Sequence, residues 1–531
     1  DVAPSRGLGD VYKRQIWICT NMGGVSILDL QHNAFISAEE IDFQNIKATN
    51  DNYGLSSPNA RCAYQDCYGN IWIGNYRGGI DFISHTQPMF NILPYTIETA
   101  KGLSYKQVWG MWATDNQVWL GSEDELGLFI NGKKIKTYDL YSHELVYNTH
   151  INTIYEDRQK RLWLGTYKNG ILLYKPDKQE IVHISSSLFN NLDVRCFYED
   201  QNGKMWIGTE TGIYSCTNEV LVKEEEIQKQ LPDIMVHSLL RDKEGKLWVG
   251  TFGKGISIFD VNNKLLWNFV IENGFCSNAV NHMIKDSEEQ IWVATREGLA
   301  VFKNTSQPNR YKIFKEKEGL ENSHIRAICE DLEKRIWISS NDGISCLDPK
   351  QNLFYNYNHH DGVPMGDFMN GSTCMTHNGI IYFGSQNGAC FFNPKELSSI
   401  RQVSPVKITQ FCKYNKKTES KDAEISIPFK KGVVHLPYNQ NSFRITFNVL
   451  DYTQSPQVEF TYMLEGLENR WYDTQGENQV IFRNIPPGKY NFKVRTRIRN
   501  QEWDKEIASL NIFIAPPLWL TWYAKLGYVI L

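Results

Sequence analysis

A short motif recurs nine times along the chain: an apolar residue, Trp, another apolar residue, then usually Gly-Thr or a close substitute. It stands as QIWICT at Trp17, NIWIGN at Trp72, QVWLGS at Trp119 and RLWLGT at Trp163, and continues as KMWIGT at Trp206 and KLWVGT at Trp248. QIWVAT at Trp292, RIWISS at Trp337 and IIYFGS, with Tyr382 in the aromatic position, complete the series. Successive copies lie 55, 47, 44, 43, 42, 44, 45 and 45 residues apart. A period in the low-to-mid forties belongs either to a propeller blade or to an α-helical repeat. Residue types decide between them. Each copy is rich in Val, Ile, Trp and Tyr, alternates with period 2, and breaks at Gly or Asp-x-x-Gly turns, so it reads as strands.

One unit shows the plan. Strand A is predicted at 280–286, strand B at 290–295, strand C at 299–303 and strand D at 310–314, with 315–324 leading into the next strand A. Four antiparallel strands per unit is the propeller arrangement. A lone blade leaves both faces of a small sheet exposed. Stacking on neighbours covers those faces, and closing the ring protects the edges. The strand-B Trp is expected to pack between blades.

Nine units exceed the four to eight usual in one propeller. Seven copies run from Trp119 to Tyr382, and the irregular, proline-containing stretch 85–101 interrupts the pattern before them. The fold predicted is therefore all-β: a seven-bladed propeller at 93–398, preceded at 16–92 by the last two blades of another, truncated propeller. Residues 1–15 lack the pattern, and GDVYKRQ resembles translated adapter sequence, so a non-native or unordered leader is expected there. After Pro394 the repeat stops. Alternating strands at 443–449, 460–465, 480–483, 490–497 and 509–514 predict an immunoglobulin- or fibronectin-like β-sandwich over 399–515. The end, PPLWLTWYAKLGYVIL at 516–531, carries Trp519, Trp522 and Tyr523 like an interfacial aromatic belt and is expected to begin a transmembrane helix.

A formal charge of −4 leaves no basic field, so nucleic acid is not an expected partner. Eleven Cys are scattered through apolar runs with no C-x-x-C pair, which predicts buried small hydrophobes rather than a zinc or redox site. There is no G-x-S-x-G, Walker loop or H-E-x-x-H. His359-His360-Asp361 reads as a solvated loop, so no metal and no cofactor are expected. Carboxylate pairs such as Glu156-Asp157, Glu199-Asp200 and Glu330-Asp331 could serve glycoside hydrolysis. Their repetition in the same turn of successive blades points instead to a structural role.

The blades resemble the two-component-regulator propeller repeat. RCFYEDQNGKMWIGTETGI at 195–213 and NAVNHMIKDSEEQIWVATREGL at 278–299 carry the likeness. The segments FTYMLEGLENRWYDT at 460–474 and FRNIPPGKYNFKVRTR at 482–497 resemble the triple-tyrosine domain. The combination is similar to the periplasmic half of hybrid two-component sensors of Bacteroides-type bacteria. That resemblance implies a non-enzymatic sensing region held at the inner membrane by a C-terminal helix, acting as a homodimer. It also implies an oligosaccharide ligand released from a glycan, and a histidine kinase beyond the membrane. A glycan-active propeller enzyme, a sialidase-like hydrolase or lyase, is the alternative, since propellers host many activities; a protein-binding scaffold is a third reading.

Strand direction places the D–A and B–C connections on one face of the propeller, where loops on a rigid frame commonly bind ligands. The second residue of each strand A should lie near that mouth: Arg61, Trp109, Asn152, Arg195, His237, Asn281 and Arg326, with Met369 or Asn370 in the ninth unit. The B–C loops add Tyr167, Lys168, Glu210, Phe252, Lys254, Arg296, Asn341 and Asp342. Sugars are held by flat apolar faces and by polar groups for hydroxyls or acids. The candidate ligand-binding set is Trp109, Tyr167, Arg195, His237, Asn281, Arg296 and Arg326, and its arginines would suit an acidic or sulfated sugar. No catalytic residue is assigned.

Overall fold

The computed structural model describes residues 15–29, 43–48, 54–84, 89–93, 107–123, 125–130, 132–140, 149–184, 192–397, 405–413, 433–450, 458–474, 476–498 and 503–517. Residues 519 and 523 and the backbone of 6–10 and 423–425 are described as well. The chain divides into two compact units, one of them Met89–Ser399 and the other Asp1–Pro88 with Ile400–Leu531.

The Met89–Ser399 unit is built of seven four-stranded antiparallel sheets. Six are sequential meanders. In the unit read out above, the strands are Val280–Lys285, Ile291–Thr295, Gly298–Phe302 and Lys312–Phe314. The seventh sheet takes its first three strands from Phe368–Met375, Ile381–Ser385 and Gly388–Phe392, and its outer strand, Asn91–Leu93, from the other end of the unit. Val108 N also donates to Ser385 O at 3.1 Å. The two ends of the unit therefore meet in one sheet, and the ring closes.

The recurring motif is explained residue by residue. In the fourth sheet, Trp248 is fully buried beside Phe302 of the next sheet, ring centres 5.1 Å apart. Its indole Nε1 donates to Asp242 Oδ2 at 3.0 Å, while Asp242 Oδ1 accepts from the backbone N of Glu244 and Lys246, both at 2.9 Å. One aspartate thus closes the A–B turn and satisfies the indole. The same Asp-to-Trp bond recurs at Asp66/Trp72, Asp157/Trp163, Asp200/Trp206, Asp286/Trp292 and Asp331/Trp337. Where Tyr382 replaces Trp, Thr376 replaces Asp and still holds the turn, accepting from Ile380 N at 3.0 Å. These carboxylates are structural, as their repetition suggested. The motif glycine is required by close approach: a Cβ on Gly250 would lie 2.6 Å from Val280 Cγ1 of the next strand A. The motif threonine closes the B–C loop, with Thr251 Oγ1 donating to Gly255 O at 3.1 Å.

In the other unit, Gln15–Thr20, Gly24–Asp29 and Gln44–Ile46 form a sheet to which Arg6–Asp10 adds an edge strand. Within the stretch 1–15, expected to be non-native or unordered, Arg6–Asp10 is an extended strand. Gln15–Thr20 would otherwise present a free row of backbone groups on that side, and the leader pairs with it. A three-stranded sheet, Ala60–Gln65, Ile71–Asn75 and Gly79–Ile83, shares a core with it through Trp17, Val25, Ile71 and Ile73.

The C-terminal part is a two-sheet sandwich. One sheet orders Ala423–Ile425, Val406–Lys413, Phe443–Val449 and Gln479–Phe482; the other orders Val433–Leu436, Ala508–Ile514, Gly488–Ile498, Val458–Glu465 and Tyr472–Asp473. Phe411, Phe443 and Phe447 of the first meet Phe460, Phe492 and Ile512 of the second in one core. Val406–Lys413 escaped the sequence reading because a bulge between Ile408 and Gln410 breaks its alternation. Most of the expected transmembrane helix from 516 lies outside the described residues. Among the described residues no helix is long and apolar enough to cross a membrane. Eight of the eleven cysteines are buried and all eleven are free.

Candidate functional site

The strand-A positions singled out by the sequence have a structural cause. At Asn152, Arg195, His237, Asn281 and Arg326 the pairing register with strand B slips by one residue. Each is the extra residue of a β-bulge, left out of the ladder with its side chain re-aimed. A longer slip, between Phe368 and Thr373, frees Asn370. Trp109 immediately precedes its strand, Gly110–Ala113. Arg61 also sits at such a bulge, but in the other unit, where its guanidinium lies 4.9 Å from the Tyr76 ring centre.

These residues converge on a cavity of about 220 Å³ in the Met89–Ser399 unit. Trp109, Asn152, Arg195, His237, Asn281 and Asn370 line it, one from each of six sheets. Trp112, Tyr155, Phe197 and His282 complete the wall. The sequence reading missed Trp112, Tyr155 and His282. It singled out only the second residue of each strand A, whereas a run of consecutive strand-A residues reaches the cavity.

Four buried polar atoms on this wall have no hydrogen-bond partner among the described residues: Trp109 Nε1, Trp112 Nε1, Arg195 Nε and Asn281 Oδ1. Buried polar atoms are ordinarily paired, so unmet ones around a cavity mark where a ligand or solvent can bind. Several of their neighbours are paired. Asn281 Nδ2 donates to Ile325 O at 2.6 Å. Arg195 Nη2 is paired with Asp193, whose other oxygen accepts from Asn152 Nδ2 at 2.6 Å. Burial, reinforced by the charge of Glu210, pushes the Asp193 carboxyl up to about 6 against the opposing pull of Arg195. Burial, with Arg195 and Arg296 adding to it, pushes His237 down to about 4.

The other predicted residues stand back from the wall. Arg296 lies 4.6 Å over the Phe252 ring, which packs 5.2 Å from His237. Arg326 is held three ways, by Asn341 at 2.8 Å, Asn370 at 3.1 Å and Asp367 at 2.9 Å, so it orients Asn370 rather than lining the cavity. Tyr167 does not line it either. Its ring meets His150 edge-on at 5.8 Å, with the Lys168 ammonium 4.9 Å from its centre. Among the described residues, no three His, Cys, Asp or Glu side chains are gathered as a metal ion would need.

His282 supplies a pH dependence. Its Nδ1 accepts from Ile328 N at 3.2 Å, so the fold uses the neutral ring, and burial pushes its pKa down to about 4. A base with a folded pKa below its unfolded value of about 6.5 binds more protons when unfolded. Its contribution is fully present above pH ~6.5 and is lost as pH falls through the folded value. The loss amounts to about 2–3 kcal/mol, allowing for solvent in the channel. Urea midpoints between pH 7.5 and 4 should fall accordingly. His282→Asn, which keeps an acceptor but no titrating group, should reduce that slope and leave the part due to His237, which is lowered in the same sense; an unchanged slope would exclude His282 as a source.

Family comparisons agree with this architecture. The Y_Y_Y domain model matches residues 451–515, and the two component regulator propeller model matches 146–168, 187–211 and 230–253. The extracellular domain of the hybrid two component system BT3049 from B. thetaiotaomicron superposes with a TM-score of 0.83 at 39% identity, covering 97% of this chain and 68% of that one. The corresponding domain of BT4673 from the same organism, at 19% identity and TM-score 0.50, shares the fold over 97% of this chain and 69% of its own. Histidine kinase P4 of Formosa agariphila is 25% identical over 454 residues, 73% of this chain. The chain spans 33% of the length of that kinase. Propeller repeats, the C-terminal Y_Y_Y domain and identity sustained along almost the whole chain lead to one conclusion: the protein belongs to the extracellular sensor domains of hybrid two-component systems.

Proposed function

We propose that this region binds a glycan-derived oligosaccharide in the channel of the Met89–Ser399 propeller and relays occupancy, as a homodimer, across the inner membrane to a histidine kinase. The observation that carries the reading is the cavity wall itself: indole and phenol rings beside four unpaired polar atoms, converging from separate sheets. Rings offer flat apolar faces to sugar C–H groups, and the unpaired atoms meet hydroxyls. The cavity of about 220 Å³ is smaller than the ~300–1,000 Å³ of a drug-sized site, so an oligosaccharide would enter end-on, one ring deep. A ligand shifts a receptor only through unequal affinity for two states, and the strands of six sheets meeting at one ligand could provide that inequality.

Calorimetric titration of candidate oligosaccharides into the wild type and Trp109→Ala tests the site. Loss of the ring should weaken binding about tenfold, the worth of one aromatic contact. Unchanged affinity would remove the channel from consideration. The enzyme alternative has one feature to recommend it, the raised carboxyl of Asp193. That group is tied to Arg195 and Asn152, and neither it nor its neighbour Glu210 lines the cavity, where a hydrolase of this type needs two carboxyls. Turnover of an oligosaccharide by the purified chain would favour the enzyme.

A further inference from the structure

Resting on the sugar-binding reading, we infer that the saccharide taken by this channel is anionic, carrying a carboxylate or a sulfate group that meets Arg195 Nε and the indole N–H groups of Trp109 and Trp112, with the charge of Arg296 behind the wall. The balance of unmet hydrogen bonds points this way. Three of the four unpaired atoms on the wall are donors, and one, Asn281 Oδ1, is an acceptor. A hydroxyl both donates and accepts, so a site built for neutral sugars needs acceptors as well as donors. A carboxylate or sulfate only accepts, and it matches the surplus.

Charge agrees with hydrogen bonding. No Asp or Glu lines the cavity among the described residues. Asp193 is paired with Arg195 and Asn152 and Asp367 with Arg326, while Glu210 stands beside Asp193 and off the wall. Arg296 is different. Among the described residues it has no carboxylate within ion-pair distance, and it sits on Phe252, one ring away from His237 on the wall. Its field reaches inward, for it helps to disfavour the charged forms of both His237 and His324. An incoming anion would neutralise it. Asn281, 1% exposed with its amide nitrogen fixed on Ile325 O, holds its oxygen ready for a ring hydroxyl beside the anionic group.

The test is an array of labelled neutral, uronate-containing and sulfated oligosaccharides probed with the full chain, followed by calorimetry of the binders at low and high NaCl. Binding confined to uronate or sulfated sugars, weakening with salt, is expected. Arg296→Gln, an exposed substitution that leaves the fold intact, should reduce their affinity by about tenfold or more, as loss of a charge-assisted contact does. The uronate and sulfate arms tell the two anionic groups apart. Equal binding of neutral counterparts, or an Arg296→Gln protein as tight as wild type, would overturn the anionic assignment and leave sugar sensing standing. Inorganic sulfate bound as tightly as a sulfated sugar would overturn it too, by showing an anion site indifferent to the saccharide. An array on which no saccharide binds would take down the sugar reading itself.

Discussion

Asp242→Ala is expected to destabilise the propeller by about 2–4 kcal/mol, although the aspartate does not line the cavity. The loss has two parts. Trp248 is fully buried, and without Asp242 Oδ2 its indole N–H has no partner. A buried donor left unsatisfied costs about 1–3 kcal/mol. The turn also loses the acceptor for Glu244 N and Lys246 N, a cap of the kind worth about 1 kcal/mol. The neighbouring turn supplies the control. Asp260 Oδ1 accepts from Asn262 N and Lys264 N at 2.9 and 2.8 Å but holds no indole, so Asp260→Ala should cost about 1 kcal/mol. A double-mutant cycle isolates the shared term: in a Trp248→Phe background, which keeps a ring but no donor, Asp242→Ala should cost at least 1 kcal/mol less. Urea unfolding followed by tryptophan fluorescence reads all four proteins. Equal costs for the two aspartates, or strict additivity in the cycle, would show that the buried bond is not what the motif maintains.

That bond is also why the fold was legible. Six units repeat an aspartate with an indole six residues later, most of them with a glycine that admits the next strand, so the same local physics is written several times over and the period stands out. One variant is coordinated, for Tyr382 has no indole N–H and Thr376 no carboxylate, whereas Trp119 keeps its indole with Ala113 in the aspartate position. Binding residues were legible only in part. Arg195, His237 and Asn281 line the cavity because they sit at strand-A bulges, a feature that depends on pairing register and leaves no composition signal, and Trp109 because it immediately precedes its strand. Arg326 and Arg296, expected at the mouth, do not line the cavity. What each guanidinium faces, Asp367 and Asn370 for one and Phe252 for the other, depends on neighbouring blades or loops tens of residues away. Least legible was Asn91–Leu93. Three residues carry no periodicity, and their partner strand lies roughly 300 residues downstream.

That short strand is where the second large effect is expected. Phe90 is 1% exposed, 4.8 Å from Phe392 of the seventh sheet and 5.2 Å from Tyr357 of the sixth. It pins the start of the unit to two sheets at its end, and Phe90→Ala should cost about 3–5 kcal/mol by the cavity it leaves. The effect differs in kind from a core deletion within one blade. Contacts between chain segments so far apart form only when the intervening sheets are in place, so their loss weakens the whole ring. The register allows a direct rescue. Ile92 lies opposite Cys390, whose side chain is fully buried on the same face of the sheet. Directly opposed antiparallel residues have Cα atoms about 4.5–5.5 Å apart, within reach of a disulfide. Ile92→Cys, oxidised onto Cys390, would close a loop of roughly 300 residues, for which chain entropy alone predicts about 5 kcal/mol of stabilisation. The oxidised Phe90→Ala/Ile92→Cys protein should therefore recover most of the midpoint lost by Phe90→Ala, and reduction should abolish the recovery. If Phe90→Ala unfolds like the wild type, or if the crosslink confirmed by mass spectrometry restores nothing, the ring is not held shut at this strand.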